Sequence, residues 1–174
     1  MKKAASIFLR PEIRTCDVTQ LIRWMENPHI TRYLNEDEEI ADELSAMLRE
    51  VPEPLLSLQF NRYGRFFLIC EDTGPAIGFV KLKEQGTKGC YEIVFAIGEE
   101  GLWGNGYGCS AIRAALGTAF LEWRAQKVVA KIRVENKRSI NSVRSCGLTC
   151  EYRGEKLHYF STTAEDYLNH LLCG

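Results

Sequence analysis

The 174-residue sequence predicts an α/β (α+β) fold, with a mixed, mostly antiparallel central sheet flanked by helices. Between residues 66 and 97, three apolar, strand-like runs are separated by short glycine-containing connections, which is typical of consecutive antiparallel strands. From Gly108 to Trp123 apolar residues recur at helical spacing instead, and another strand-like run follows directly. With 45% hydrophobic and 26% charged residues, the composition suits one globular domain, expected over residues 1–174.

The N-terminal half alternates helix and strand signals. Asp17 is a candidate N-cap for a first helix, which Asn27 and Pro28 are expected to end. The acidic run 36–39 is expected to begin a second helix, because negative side chains favour the positive end of a helix dipole. The pattern assigns no element to 55–65. Strands are predicted at 6–10, 66–70, 76–82 and 91–97.

The C-terminal half begins with the amphipathic helix after Gly108. Gly147 is a candidate C-cap for a later short helix, because glycine readily adopts the left-handed conformation that often ends a helix. Thr162 and Glu165 have the spacing of a capping box, which predicts a final helix. The remaining elements are a helix at 137–145 and strands at 128–135, 149–153 and 157–160.

Charge argues against certain binding partners, and cysteine spacing argues against certain structural sites. The net charge of −1 gives no general affinity for nucleic acid or for anionic membranes, and no apolar stretch reaches the roughly 18–20 residues of a membrane span. The seven cysteines include no Cys-x-x-Cys pair, so neither a disulfide framework nor a zinc site is expected. We therefore expect a cytoplasmic protein with free, buried cysteines and no metal.

The segment 103–108, Trp-Gly-Asn-Gly-Tyr-Gly, lies between a predicted strand and a predicted helix. Its alternate glycines allow close backbone approach and positive φ, so that peptide N–H groups can converge on an anion where the helix begins. A Walker loop would continue with Gly-Lys-Ser/Thr, which is absent, and the glycine spacing does not fit the dinucleotide fingerprint. The pattern predicts a phosphate cradle, with an ordinary glycine-rich turn as the alternative.

The order strand, Gly-x-Gly-x-Gly, amphipathic helix, strand and Asn136 resembles the GNAT superfamily of N-acetyltransferases over nearly the whole chain. The likeness is greatest to its branch of ribosomal-protein N-terminal and related small-molecule acetyltransferases. The superfamily's pyrophosphate motif is Arg/Gln-x-x-Gly-x-Gly/Ala, and Trp103 replaces its leading residue here. Further matches are 91–97 before the loop, 136–140 after the next strand and 146–148, where the family usually has a Gly-Phe pair.

The resemblance implies an enzyme that transfers an acetyl group from acetyl-CoA to a primary amine by direct attack. It also implies that the strand before the loop splays from its parallel neighbour, with the pantetheine arm in the gap and the pyrophosphate on the loop amides. Either Arg138 or Arg113 would meet a phosphate, unless both belong to a solvated helix face. The cofactor-binding residues implied are Phe95, Ala96, Ile97, Trp103, Gly104, Asn105, Gly106, Tyr107, Gly108, Cys109, Asn136 and Ser139.

Two catalytic roles follow from the same resemblance. Glu92 lies on the strand leading to the acetyl group and is the candidate general base, acting through water; the alternative is a glutamate facing solvent. Many members carry a tyrosine acid where this chain has Val143. Ser142 is the candidate acid, with Asn141 and Ser139 as alternatives, unless solvent protonates the leaving thiolate.

The acceptor is expected to be a primary amine of a small molecule or of a protein N-terminus. Glu36, Asp37 and Glu38 would attract a polyamine or an aminoglycoside if they face the acceptor, and would stabilise a helix dipole otherwise. A homodimer is left open. Two other functions also stay open, namely a non-catalytic acyl-CoA-binding module or sensor, and a nucleotide-dependent oxidoreductase that uses the same glycines.

Overall fold

A computed structural model describes residues 6–34, 39–72 and 74–173. Within these ranges, strands form one sheet in the order β1-β2-β3-β4-β5-β7-β6. Neighbouring strands are antiparallel except β4 and β5, which are parallel, so the predicted mixed and mostly antiparallel sheet is confirmed. The strands are β1 (Phe8–Arg10), β2 (Gly64–Cys70), β3 (Ala76–Glu84), β4 (Cys90–Ile97), β5 (Lys127–Arg133), β6 (Thr149–Arg153) and β7 (Leu157–Thr163).

Helices cover both faces of the sheet. A 3₁₀ turn at Glu100–Leu102 follows β4, and a π-helical turn at Thr118–Glu122 extends α5. No helix in the described ranges is long and apolar enough to cross a membrane. The α-helices are α1 (Thr15–Met25), α2 (Pro28–Thr31), α3 (Ile40–Glu50), α4 (Glu53–Phe60), α5 (Tyr107–Gly117), α6 (Lys137–Ser145) and α7 (Ala164–Cys173).

The two faces of β4 belong to different cores. Ile93 and Phe95 pack with α5, α6 and α7 on one face, whereas Val94 and Ala96 pack with α1 to α4 on the other. This division follows from the alternation of side chains along a strand. Glu92 has the same parity as Val94, so its side chain lies on the face covered by the N-terminal helices.

The predicted start of the first helix is wrong by one turn. The N-cap of α1 is Arg14, and Asp17 is the third helical residue. The Asp17 carboxylate reaches back to accept the Arg14 backbone N–H at 2.8 Å, and it also binds the Arg10 guanidinium at 2.7 and 3.0 Å. An acidic residue in the first turn thus satisfies a free amide from inside the helix rather than from the position before it.

Prolines begin helices here as well as ending them. The first helix ends before Asn27 and Pro28, as predicted. Pro28 is also the first residue of α2, which Asn27 caps by accepting the His29 N–H at 3.0 Å. Pro54 lies in the first turn of α4, where the missing N–H costs no helical hydrogen bond. Only Leu56 of α4 is buried, and this weak periodicity explains why the sequence assigned no element there. Residues 36–38 of the acidic run lie outside the described residues.

The cysteines are less buried than expected. Cys70 and Cys146 are buried, whereas Cys16 and Cys173 are exposed. The other three are half-buried, among them Cys109 in the first turn of α5.

The capping box of α7 is displaced by one residue from its predicted position. Strand β7 continues to Thr163, whose Oγ accepts the Asp166 N–H at 3.2 Å and donates to the Asp166 carboxylate at 2.7 Å.

We expect Thr163→Ala to lower the free energy of unfolding by about 1 kcal/mol, because two groups at the helix start lose their partner. Glu165→Ala, which alters the residue predicted from sequence, should change it by less than about 0.5 kcal/mol. Urea unfolding of both variants measures the difference, and an equal loss in the two would contradict this assignment.

Candidate active site

A gap opens between the two parallel strands of the sheet. Pairing of β4 with β5 covers Cys90 to Glu92, opposite Lys127 to Val129. Beyond Glu92, β4 stays paired with β3 through Ile97, while no strand within the described ranges pairs with its other edge. The sheet therefore presents unpaired backbone groups on this edge, as the resemblance implied.

The register of β3 and β4 determines which groups face the gap. The Gly98 N–H donates to the Ile77 carbonyl at 2.8 Å, which makes these two residues a hydrogen-bonded pair. Because such pairs alternate in an antiparallel ladder, Ala96 directs its N–H and C=O toward β3. Phe95 and Ile97 direct theirs into the gap. Of the three residues expected to offer main-chain groups, only these two can do so.

A cavity of about 310 Å³ continues from this gap to the start of α5 and α6. Every expected cofactor-binding residue except Asn105 lines it, and Ser142 lines it as well. Residues far apart in the sequence are thus brought together around one space. The remaining lining residues are His29, Ile30, Tyr33, Leu34, Leu102, Arg138, Asn141 and Ser145.

The glycine segment forms the wall of the cavity at α5. Gly104 and Gly106 have φ of +79° and +90°, a conformation that side chains other than glycine rarely adopt. Gly106 is the N-cap of α5, and the Ser110 N–H makes a helical bond to its carbonyl at 3.0 Å. The three preceding amides, at 107–109, have no helical carbonyl to bind. They give this wall the donors and the positive potential that favour an anion.

The start of α6 forms the opposite wall. Asn136 is the N-cap, and its side-chain oxygen accepts the Ser139 N–H at 3.1 Å. That bond commits the oxygen to the helix and leaves the Asn136 amide NH₂ as a donor for a ligand. Both residues also line a second, smaller cavity of about 50 Å³, together with Tyr33, Leu34 and Phe95.

Glu92 lines the smaller cavity. Only 8% of it is exposed, so the alternative of a glutamate facing solvent is wrong. Its carboxylate accepts from Lys131 Nζ at 3.1 Å and from Gln85 Nε2 at 3.4 Å. A buried carboxylate held by a lysine is costly to leave unpaired, so its surroundings fix its position. The shared lining residues connect this carboxylate with the larger cavity.

Comparison with known proteins identifies the family. Residues 6–149 match the family described as acetyltransferase (GNAT) domain. The chain belongs to this GNAT family. The predicted acetyl-CoA-dependent N-acetyltransferase is thereby confirmed, with acetyl-CoA as cosubstrate.

Solved structures of GNAT enzymes share the fold. A spermidine N-acetyltransferase from Vibrio cholerae, in complex with CoA and spermine, is 20% identical with a TM-score of 0.76; the match covers 94% of this chain and 98% of that one. An aminoglycoside acetyltransferase in complex with coenzyme A is 17% identical, with a TM-score of 0.75 and the same coverage. An acetyltransferase of the GNAT family from Bacillus anthracis is 16% identical, with a TM-score of 0.74 and again the same coverage. The sequence matches no curated protein.

One expected cofactor-binding residue of this GNAT site lies outside the cavity, and one that lines it has an additional contact. Asn105 does not line the cavity, because it lies between the two positive-φ glycines on the outer side of the turn. The Tyr107 hydroxyl donates to Glu71, and this hydrogen bond raises the pKa of Tyr107. Within the described ranges, no group of three or more His, Cys, Asp or Glu side chains could hold a metal ion.

Ser142 lies in α6 beside the glycine segment. A Cβ on Gly108 would come within 3.9 Å of both the Ser142 hydroxyl and the Phe95 ring, so these three residues meet at one point. The Ser142 hydroxyl donates to the Arg138 carbonyl at 3.0 Å within the helix. Its proton is therefore already engaged, which weakens the case for a dedicated acid.

We expect Ser142→Ala to lower turnover by less than about tenfold, because the Ser142 proton is held by the helix backbone and solvent can protonate the leaving thiolate. Steady-state kinetics with saturating acetyl-CoA measures the effect. A thousandfold loss with unchanged acetyl-CoA affinity would establish Ser142 as the acid.

Cys109 is a lining residue with an unusual environment. The hydrogen bond with the Cys146 thiol lowers the pKa of Cys109 to about 6, against the effect of burial, and Arg113 adds to the lowering. The same contact raises the pKa of Cys146. A half-exposed thiol with a lowered pKa is the kind that reacts with electrophiles. This pair could not be predicted from the sequence, because the two cysteines are far apart along the chain.

The sequence also missed one wall of the cavity. His29, Ile30 and Tyr33 come from α2 and the turn after it. The His29 ring contacts Glu100 at 3.2 Å, which attaches α2 to the segment after β4. Asn27 and His29 together hold the pKa of Glu100 below its usual range. No motif marks these residues, and only the fold brings them to the site.

Proposed function

We propose that this GNAT protein acetylates a primary amine of a small molecule or of a protein N-terminus. Acetyl-CoA would lie along the cavity of about 310 Å³, which we call the cofactor cavity. One observation carries the proposal: the unpaired edge of β4 continues into the glycine segment within one cavity. Acetyl-CoA supplies the activated acetyl thioester. The gap-facing C=O of Phe95 and N–H of Ile97 would bind its pantetheine arm as an added strand would, while the Ile97 carbonyl accepts the Trp103 indole N–H. The amides of Gly104 and of residues 106–109 would bind the remainder, together with Asn136 and Ser139.

The gap also offers a place to stabilise negative charge. The Phe95 N–H has no strand partner and points into the gap beside the smaller cavity. A preorganised backbone donor of this kind stabilises the charge that develops on a carbonyl oxygen under attack. We therefore assign this amide, rather than a side chain, to the acetyl oxygen.

The amine must lose a proton before it attacks, because a lysine-like ammonium has a pKa near about 10.4 and an N-terminal amine near about 8. Glu92 is our candidate base. The cavity beside its carboxylate, about 50 Å³, has room for a water that would relay the proton. Lys131 holds the carboxylate in place, so an oxygen of fixed position accepts the proton that the water relays from the amine.

We propose that the acceptor approaches from the face covered by the N-terminal helices. A cavity of about 490 Å³ lies there between α1, α3 and the central strands, with largely apolar walls that include Leu21, Leu44, Phe60 and Phe79. Lys83 lines both this cavity and the one beside Glu92, so the two spaces are neighbours. An amine in the apolar cavity would reach Glu92 from the side opposite the cofactor.

The decisive experiment is release of free CoA thiol across a panel of amines. Spermidine and an aminoglycoside belong in it, because two structurally similar enzymes bear those names. N-terminal peptides and small aromatic amines complete the panel. Catalysed thiol release with any amine supports the proposal, whereas binding of acetyl-CoA without release would favour a non-catalytic module. The observation that keeps this second function open is the fully buried Val143 at the family's tyrosine position.

A cytoplasmic location, a homodimer and a single domain over residues 1–174 stay predictions of this proposal. Light scattering of the purified protein measures its oligomeric state directly.

A further inference from the structure

Arg138 lies in the first turn of α6 with its guanidinium stacked on the Trp103 ring, 4.1 Å from the ring centroid. Both side chains line the cofactor cavity. An arginine over the face of a tryptophan is attracted by the electron density of the ring. This pair connects the first residue of the glycine segment with the helix on the opposite side of the cavity.

The Trp103 ring is itself held in place. Its indole Nε1–H donates to the Ile97 carbonyl at 2.8 Å, so the end of β4 fixes the orientation of the ring. Trp103 also packs against the apolar core beneath the N-terminal helices. A ring fixed at one edge and one face gives the guanidinium a defined place to stack.

Stacking leaves the guanidinium N–H groups available. They point outward in the plane of the group, so a guanidinium whose central carbon lies over a ring can still donate to another group. Among the described residues, no carboxylate forms an ion pair with Arg138. The donors are therefore directed by Trp103 but not consumed by an acidic side chain.

We infer that Trp103 and Arg138 act as one unit that binds the pyrophosphate of CoA: Arg138 donates to it, and Trp103 is a positioning residue for Arg138. The inference deepens the proposed cofactor site and rests on it. The glycine segment brings amides and a helix dipole but no cationic side chain. Position 103, where the motif has Arg or Gln, holds an uncharged indole, and α6 supplies the charge from the other side of the cavity.

The experiment compares the dissociation constants of CoA, 3′-dephospho-CoA and pantetheine, measured by calorimetry. Arg138→Gln should weaken the binding of both phosphorylated ligands by at least about tenfold, because a charged donor to phosphate is lost at a partly exposed site. Pantetheine, which has no pyrophosphate, should bind as it does to the wild type. Arg138→Lys should recover only part of the loss, since lysine neither stacks nor donates as a fork.

Trp103→Leu should weaken CoA binding as well, and the double variant with Arg138→Gln should be no weaker than Arg138→Gln alone, because the two side chains act together. The matched control is Arg144→Gln. Arg144 lies on the same helix and also stacks on an aromatic ring, Phe160, but it does not line the cavity. Its loss should leave all three dissociation constants within about twofold.

Three outcomes would overturn the inference. Equal weakening of pantetheine would mean that Arg138 acts through the structure of the site. Weakening of CoA but not of 3′-dephospho-CoA would move Arg138 to the 3′-phosphate. Additive losses in the double variant would separate Trp103 from Arg138. Absence of CoA binding by the wild type is a different failure, because it would remove the proposed cofactor site itself.

Discussion

Glu92→Gln lowers the turnover of amine acetylation by about 10²-fold or more, with little change in acetyl-CoA affinity, if Glu92 is the base. Glutamine preserves the size of the side chain and its contact with Gln85, but it cannot accept a proton from the amine. The cofactor cavity should be unaffected, because Glu92 lines the neighbouring cavity of about 50 Å³ and not the cofactor cavity itself. Initial rates of thiol release and calorimetry with acetyl-CoA separate the two effects.

The pH profile tests the role of Glu92 more sharply than the rate at one pH. An ammonium acceptor loses its proton to solvent as the pH rises toward its own pKa, so a base becomes less important there. The deficit of Glu92→Gln should therefore shrink steadily as the pH rises. A deficit independent of pH would indicate that Glu92 positions the acceptor instead, and near-wild-type activity at neutral pH would remove it from the mechanism.

Lys131→Gln is the control for the broken ion pair. Glu92→Gln also removes the ion pair that the carboxylate makes with Lys131 at 3.1 Å, and the loss of a half-buried ion pair can distort a site. Lys131→Gln removes the same ion pair but keeps the carboxylate. If the loss in Glu92→Gln came only from the ion pair, Lys131→Gln would reproduce it and would show the same pH profile.

Gly106→Asp weakens acetyl-CoA binding by more than about 2 kcal/mol, roughly thirtyfold. Gly106 has a φ of +90° at the N-cap of α5, directly before the amides that face the cavity. A carboxylate there crowds the pyrophosphate and repels it, and it competes for the same N–H groups. Thermal stabilisation by acetyl-CoA measures the effect, and it should be several degrees for the wild type and nearly absent for the variant.

The fold should tolerate Gly106→Asp, because no atom lies within 4 Å of the added Cβ and aspartate is among the residues that adopt positive φ most readily. Gly86→Asp is the matched control. It adds the same charge at an exposed turn glycine that also has open space around it. Acetyl-CoA should stabilise this control as it does the wild type. If Gly106→Asp binds as well as the control, the glycines form only a turn.

The parts of the site that the sequence predicted are those encoded by neighbouring residues. The glycine segment is a short motif whose backbone chemistry is local, so its spacing predicts the phosphate cradle. Asn136 was assigned to the same site only through the family resemblance, and both Gly106 and Asn136 line one cavity. The contribution of α2 could not be predicted, because His29 and Tyr33 reach the cavity only through tertiary packing. The same holds for the stacking of Arg138 on Trp103, since a sequence does not show which of several surface arginines meets a ring.

The errors in the predicted bounds of the helices also have local causes. Asp17 has the residue type of an N-cap, but a carboxylate three residues into a helix can satisfy the same amide. Thr162 and Thr163 both precede an acidic residue at capping distance, and the extra length of β7 decides between them. Helix α4 was not predicted, because Pro52 and Pro54 lie at its start and prolines there have the same pattern as prolines that end a helix.

The short pairing of β4 with β5 has a mechanical consequence. Among the residues that the structure describes, three residue pairs of β4 and β5 join the half of the sheet made of β1 to β4 to the half made of β5, β7 and β6. A ligand that bonds to Phe95 on one side and to Asn136 on the other would bridge the two halves beyond those pairs. The same contacts that hold the cofactor would then add to the resistance against hinge motion between the two halves.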